Sequence, residues 1–195
     1  MKQSMAKIEW RTMVPVSGSF QTRAEGEEPC VEGYFSVFNS NYEICPGLVE
    51  LVAPGAFSET LGDDIRALTN HDTTLVLGRN KIGTLTLRED GHGLWGSIRI
   101  NREDQDAMNL YRRVQRGDVD QCSFGFIILD EKREILEDGT VRYTILKVKL
   151  FEVSVVTFPA YEQTSVSARM KQEETIRQRL FQEKKEALRQ KLKGA

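Results

Sequence analysis

The chain has 195 residues, with 27 Lys and Arg against 29 Asp and Glu and a formal net charge of -2. That length fits one domain with extensions and can bury a substantial core, while the near-neutral balance gives no global pull towards nucleic acid or a membrane surface. No apolar run approaches a membrane span and no signal-like stretch opens the chain; three widely spaced cysteines (Cys30, Cys45, Cys122) without a CxxC pair argue against a disulfide framework or a zinc site, so a reducing cytoplasm is expected.

Residues 1–28 read as an N-terminal extension. It holds a short apolar piece from Trp10 to Val16 and a polar run from Arg23 to Pro29 that reads as a turn or linker. From Val31 the pattern becomes β: Val31, Gly33, Phe35 and Val37 alternate with Glu32, Tyr34 and Ser36, and Asn39-Ser40-Asn41 ends the run. Val49 to Val52 is a further strand, followed by Pro54-Gly55 and a brief helix from Ala56 to Leu61. Ile65 to Thr69 leads as a strand into His71. Ile82 to Arg88 and Leu94 to Ile100 flank an Asp90-Gly91 turn and predict a hairpin. Asn101 is placed to cap a helix running to about Arg116, with Ala107, Leu110, Tyr111 and Val114 on its apolar stripe and Gly117 at C′. Gln121 to Asp130 and Val141 to Leu150 flank a second turn at Asp138-Gly139. Phe151 to Phe158 extends the returning strand until Pro159 stops it.

From Arg169 the composition changes. Residues 169–193 hold nine Lys and Arg and four Glu, a local net of +5 against -7 for the rest of the chain. Ile176, Leu180, Leu188 and Leu192 form a stripe too sparse to bury a helix well, so this arm needs a partner or stays mobile. The expected organisation is an extension (1–28), one β-rich domain (29–168) and a basic helical tail (169–195), which the resemblance described below implies is removable.

Three segments carry chemistry: Asn70-His71-Asp72, Cys122 to Phe126, and Phe151 to Val155. A serine hydroxyl is a poor nucleophile until a neutral imidazole takes its proton, and a carboxylate fixes that imidazole's tautomer and stabilises its charged form. Period-two alternation puts Cys122, Phe124 and Phe126 on one face and Ser123 and Gly125 on the other. Ser123 thus points away from the core face, beside a small residue, and Cys122 reads as a core thiol. An ordinary strand serine is the commoner case. His71 at a strand end suits a base, although a surface or capping histidine is again commoner; His92, between two glycines in a turn, ranks below it. Glu152 lies among strong β formers and either faces water or is half-buried with a partner. Asp72 is a rival to orient His71, ranked lower because adjacent side chains rarely aim at one point.

Val49 to Phe57 (VELVAPGAF), Asn70-His71-Asp72 with Leu77-Gly78-Arg79 and Gly83-Thr84-Leu85, Ser123 to Phe126, and Phe151 to Val156 with Phe158 to Tyr161 together resemble the prohead maturation proteases of tailed phages. The resemblance spans about residues 30 to 170 in that family's order. It implies a mainly β (α+β) fold related to the herpesvirus capsid protease, assemblin, with a closed or nearly closed β-barrel flanked by helices. It implies a serine endopeptidase inside the assembling prohead in the host cytoplasm. The substrates are then scaffold protein, the scaffold-like segment of the major capsid protein, and the protease itself. Ser123 is the implied nucleophile, His71 the base and Glu152 the third member. Assemblin has a second histidine in that third role; here Glu152 stands in the corresponding motif. No metal or cofactor, no membrane and no nucleic acid are expected, and a homo-oligomer is allowed. Two rivals are an inactive capsid-assembly module that keeps the fold and a serine esterase; the latter lacks a Gly-x-Ser-x-Gly elbow and α/β alternation.

Overall fold

The long hairpin around Asp138-Gly139 forms the spine of the structure. A computed structural model describes residues 9–13, 20–25, 28–158 and 163–193. In chain order its strands are β1 (Glu9–Met13), β2 (Gln21–Glu25), β3 (Glu28–Val37), β4 (Tyr42–Cys45), β5 (Leu48–Val52), β6 (Arg66–Thr69), β7 (Asp72–Arg79), β8 (Leu85–Glu89), β9 (Gly93–Arg99), β10 (Gln121–Ile135) and β11 (Val141–Val156), with helices α1 (Gln105–Arg116) and α2 (Gln163–Lys193). The chain divides into two compact units, residues 1–161 and 162–195.

One sheet runs β1-β10-β11-β5-β4, with β6 also on β11 and β7 on β6; the other runs β2-β3-β9-β8. β11 serves two parallel partners along its length. Val141 to Ile145 pair with Leu48 to Val52, and Glu152 to Val155 pair with Arg66 to Thr69. Both sheets contribute to one core, where Phe35, Leu94 and Ile98 meet Phe124, Phe126, Val153 and Val155. α1 adds Ala107, Leu110 and Val114, the expected stripe, with Tyr111 packed at its margin, and Gly117 closes the helix at φ 84°.

A β-bulge sets the phase of the upper half of β11. Phe126 pairs with Leu150 but Gly125 pairs with Glu152, so Phe151 is the extra residue. Leu150 and Val153 are therefore both core residues although three apart, and Phe151 is turned out of the ladder.

The ladders form two sheets in a mainly β fold with helices, and among the described residues no closed ring of strands is found. Several other expectations are corrected. Ala56 to Leu61 is a chain of turns, not a helix. Its bonds are of the i to i+3 kind, as from Thr60 N to Phe57 O, and the Glu89 carboxylate accepts from Gly55 N and Phe57 N, fixing the loop from outside. Asp104, not Asn101, caps α1: its carboxylate accepts from Asp106 N and Ala107 N at 3.0 and 3.1 Å, while Asn101 makes a local turn to Glu103 N. Arg23 to Glu25 is strand rather than linker: it pairs with Cys30 to Glu28 of β3, and Arg23 reaches Glu32 across the pair. Ile82 belongs to a short 3₁₀ turn (Asn80–Ile82), and β4 and β7 are strands the pattern did not reveal. The Trp10–Val16 piece and Pro159 lie partly or wholly outside the described residues, apart from Trp10 to Met13 in β1.

The second unit is α2 alone, 31 residues with Met170, Leu180, Phe181 and Leu188 exposed. Among the described residues no helix is long and apolar enough to cross a membrane.

Candidate active site

Strand register brings the three chemistry-bearing segments onto one sheet. Two neighbouring rows cross it from β10 through β11 and β6 to β7. One is Ser123, Ser154, Leu68, Val76; the other is Gly125, Glu152, Arg66, Arg79. The opposite face carries Cys122, Phe124, Val153 and Val155 into the core. Ser123 and Glu152 thus share the face away from the core because the bulge at Phe151 keeps β11 in phase with β10. Directly opposed strand residues are about 5 Å apart and diagonal ones about 7–8 Å, so Ser123 is one strand spacing from Ser154 and a diagonal step from Glu152.

His71 arrives by way of a tight turn. Thr69 pairs with Asp72, leaving Asn70 and His71 as a two-residue loop with φ 50° and 61°. Positive φ at both central residues is a type I′ turn, which matches strand twist and favours Asn at its first position. A histidine in left-handed backbone is uncommon, and it is held there by β11. Asn70 N donates to Val155 O (3.0 Å), Asn70 Oδ1 accepts from Thr157 N (2.9 Å), and His71 N donates to Ser154 Oγ (3.2 Å).

The imidazole then meets the carboxylate. His71 Nδ1 lies 2.7 Å from Glu152 Oε1, and Ser154 Oγ donates to Glu152 Oε2 at 2.5 Å. Only 16% of the His71 side chain and 10% of Glu152 remain exposed, so this charge-assisted bond acts in a sheltered setting where it is stronger than in water. An ionised carboxylate only accepts; Nδ1 therefore carries the proton and Nε2 is left as the basic nitrogen. Ser154 is the residue sequence reasoning passed over. It stands two residues from Glu152 on the same face, the one signal that pointed to it.

The rivals are engaged elsewhere. Asp72 Oδ1 accepts from Thr74 N (2.8 Å) and Thr74 Oγ1 (2.6 Å), bonds that hold its carboxyl below the usual range. Burial pushes the Cys122 thiol up to about 12, and it donates to Tyr34 O (3.2 Å) as a core group. His92 sits in the β8–β9 turn of the other sheet, its ring edge-on to Tyr34. Ser123 keeps the predicted face but is fully buried rather than open to a substrate.

A cleft of about 420 Å³ opens beside the pair. His71 and Glu152 line it together with Leu68, Val76 and Phe151, and Asp64 and Arg66 stand at its wall; Ser123 does not line it. Arg79 grips Asp64 with two bonds of 2.7 Å, and with Arg66 it holds the Asp64 carboxyl down at about 2.

Residues 18–179 match the caudovirus prohead serine protease family. The prohead protease of Enterobacteria phage HK97 is 31% identical over 148 residues, which make up 74% of this chain and 61% of that protein. This chain thus spans less than two thirds of that relative's length. The bacteriophage T4 capsid assembly protease superposes with a TM-score of 0.48 and 12% identity, over 80% of this chain and 100% of that one.

Proposed function

Because the chain belongs to the caudovirus prohead serine protease family, we propose that it is the serine endopeptidase of capsid maturation in its phage, acting inside the assembling prohead. The substrates are scaffold protein or the scaffold-like segment of the major capsid protein, and the protease itself. The single observation that carries this reading is the 2.7 Å His71–Glu152 bond on the face that also bears Ser123.

Ser123 Oγ attacks the scissile carbonyl while His71 Nε2 takes its proton. The C–N bond breaks as His71 returns that proton to the leaving amine, giving an acyl-enzyme on Ser123. A water, deprotonated by His71, then releases the acid and restores the serine. Glu152 holds the tautomer and stabilises the imidazolium. Ser154 positions both, through the second carboxylate oxygen and the His71 backbone. The domain boundaries belong to the same proposal: residues 29–168 act as the protease and 169–195 as a tail that guides it to the capsid and is removable.

A second reading is favoured by one observation, the complete burial of Ser123: an inactive assembly module that keeps the fold. Two measurements separate them. A fluorophosphonate labels Ser123 in a protease and not in an inert module. Cleavage of the capsid protein of the same phage, followed by mass spectrometry, establishes peptide-bond chemistry. Absence of both labelling and cleavage in the presence of that capsid protein refutes the endopeptidase.

A further inference from the structure

Ser123 has a polar neighbour on its own strand that the proton relay does not use. Gln121 stands two residues before it on β10. The two share a face, because the pairing with β11 is regular from Gln121 to Gly125, and they are about 6.6 Å apart along the strand. Gln121 Oε1 is buried and, among the described residues, has no hydrogen-bond partner. Buried polar atoms are nearly always paired, and an acceptor stripped of water without a donor in return is a cost to the folded state. The backbone beneath this side chain is firmly fixed. Gln121 pairs with Val156 of β11. Asn70 clasps the residues on either side of Val156, donating from N to Val155 O at 3.0 Å and accepting from Thr157 N at 2.9 Å through Oδ1. The same turn carries His71. A desolvated acceptor is thus held at a set place beside the nucleophile, and it is not part of the cleft that His71 and Glu152 line.

We infer that Gln121 binds the main chain of the peptide substrate, its Oε1 accepting a backbone N–H close to the scissile bond. The inference rests on the reading of Ser123 as the nucleophile. The backbone N–H is the donor that every peptide substrate brings, whatever its side chains. An extended peptide presents its residues about 3.3 Å apart, and strand side chains stand up from the sheet and lean along it. The N–H that meets Gln121 therefore lies within about two residues of the bond that is cut. The acceptor has already lost its water in the free protein, so this hydrogen bond forms in a sheltered setting where it is stronger than in solvent. A carboxamide also accepts without placing a negative charge beside the serine. The unpaired atom then has a purpose: the free protein carries a cost that bound substrate relieves, the usual conflict between stability and activity at a functional site.

The test uses the full-length chain and a synthetic peptide spanning a bond that wild type cuts in the capsid protein of its phage. The peptide is made in its parent form and as a series N-methylated at one backbone nitrogen at a time, the scissile one excepted. Gln121→Met keeps the length of the side chain and removes the acceptor. It is expected to lower kcat/KM for the parent peptide about tenfold or more, the scale of one hydrogen bond whose partner is left unpaired. Its melting temperature is expected to equal or exceed that of wild type, because the orphaned acceptor is gone; a residue that only supports the fold gives the opposite shift. In wild type, N-methylation at one position within about two residues of the bond is expected to cost a similar factor. In Gln121→Met the same methyl group is expected to cost little more, so the two losses do not add. Gln121→Ala supplies an independent variant should Gln121→Met not fold. A folded variant with wild-type kcat/KM overturns the main-chain contact alone, and so do N-methylation losses that are equal in wild type and variant at every position. Wild type that neither labels with fluorophosphonate nor cuts overturns the reading of Ser123, and the contact falls with it.

Discussion

Glu152 is the residue on which the proposed chemistry turns. Its two oxygens are both taken, one by His71 Nδ1 and one by Ser154 Oγ, so two substitutions separate its roles. Glu152→Gln keeps the shape but no longer demands a proton on Nδ1; turnover is expected to fall on the order of 10⁴-fold, as when a triad aspartate becomes an amide. Ser154→Ala removes a positioning contact only and is expected to cost roughly 10- to 100-fold, the scale of one buried hydrogen bond lost by a carboxylate. Both are read from initial rates of capsid-protein cleavage. Equal losses in the two variants contradict the division of labour. At the neighbouring position, the Cys122 thiol is raised to about 12 by burial. The thiolate is the reactive form, so in native protein at pH 8 Cys122 is expected to resist iodoacetamide while half-buried Cys45 reacts. Rapid Cys122 modification, mapped by peptide mass spectrometry, contradicts its placement.

At the scale of elements, the decisive feature is the bulge between Gly125 and Phe126 on one strand and Leu150 and Glu152 on the other. Removing Phe151 leaves Leu150 facing the core and Glu152 facing away, in a regular ladder. Removing Val153 shifts Ser154 towards the core face and turns the sheet inside out beyond it. The one-residue deletion of Phe151 is therefore expected to give a folded protein with a sharp thermal transition, and the deletion of Val153 an unfolded or molten one. The reverse order in circular dichroism melts contradicts the phase assignment. The same strands show what could be read beforehand. The β10–β11 hairpin was legible because alternating residues flank Asp138-Gly139, and α1 because its stripe recurs at helical spacing. β7 was not: Leu68 pairs with Val76 and Thr69 with Asp72, so three residues bulge out and break the period of two. The Ala56–Leu61 turns were misread because Glu89, 32 residues away from Phe57, supplies the acceptor that fixes them. Glu152 stood out as a carboxylate among β formers, and its partner proved to be His71; the supporting Ser154 gave only its spacing. The burial of Ser123 depends on what covers the strand from elsewhere in the chain, which no local pattern carries.

For the whole molecule, charge and composition divide the chain more sharply than hydrophobic pattern does. Residues 169–193 carry +5 and the rest -7, and α2 exposes Leu180, Phe181 and Leu188. A lone helix with so sparse a stripe gains little from its own packing. Deleting residues 172–195 is expected to leave the melting temperature of the remaining protein within about 4 °C, the shift of roughly 1–2 kcal/mol for a domain of this size, while co-assembly with the capsid or scaffold protein drops. A truncated protein that will not fold makes the tail structural and ends the guiding role. The division of the strands into two sheets was not legible, because it depends on strand partners far apart in sequence.

The central claim, that Ser123 is the nucleophile of a capsid-processing protease, is tested most directly by co-expressing the chain with the major capsid protein of its phage and mapping every fragment by mass spectrometry, for wild type and for Ser123→Ala. Alanine fits the strand without a volume penalty, so the variant folds and isolates the chemistry. Wild type is predicted to cut the capsid or scaffold segment, and itself, at defined bonds, with the rate in Ser123→Ala lower by several orders of magnitude, on the order of 10⁶ in a well-characterised serine protease. Fragments of the same identity and abundance from Ser123→Ala contradict the account.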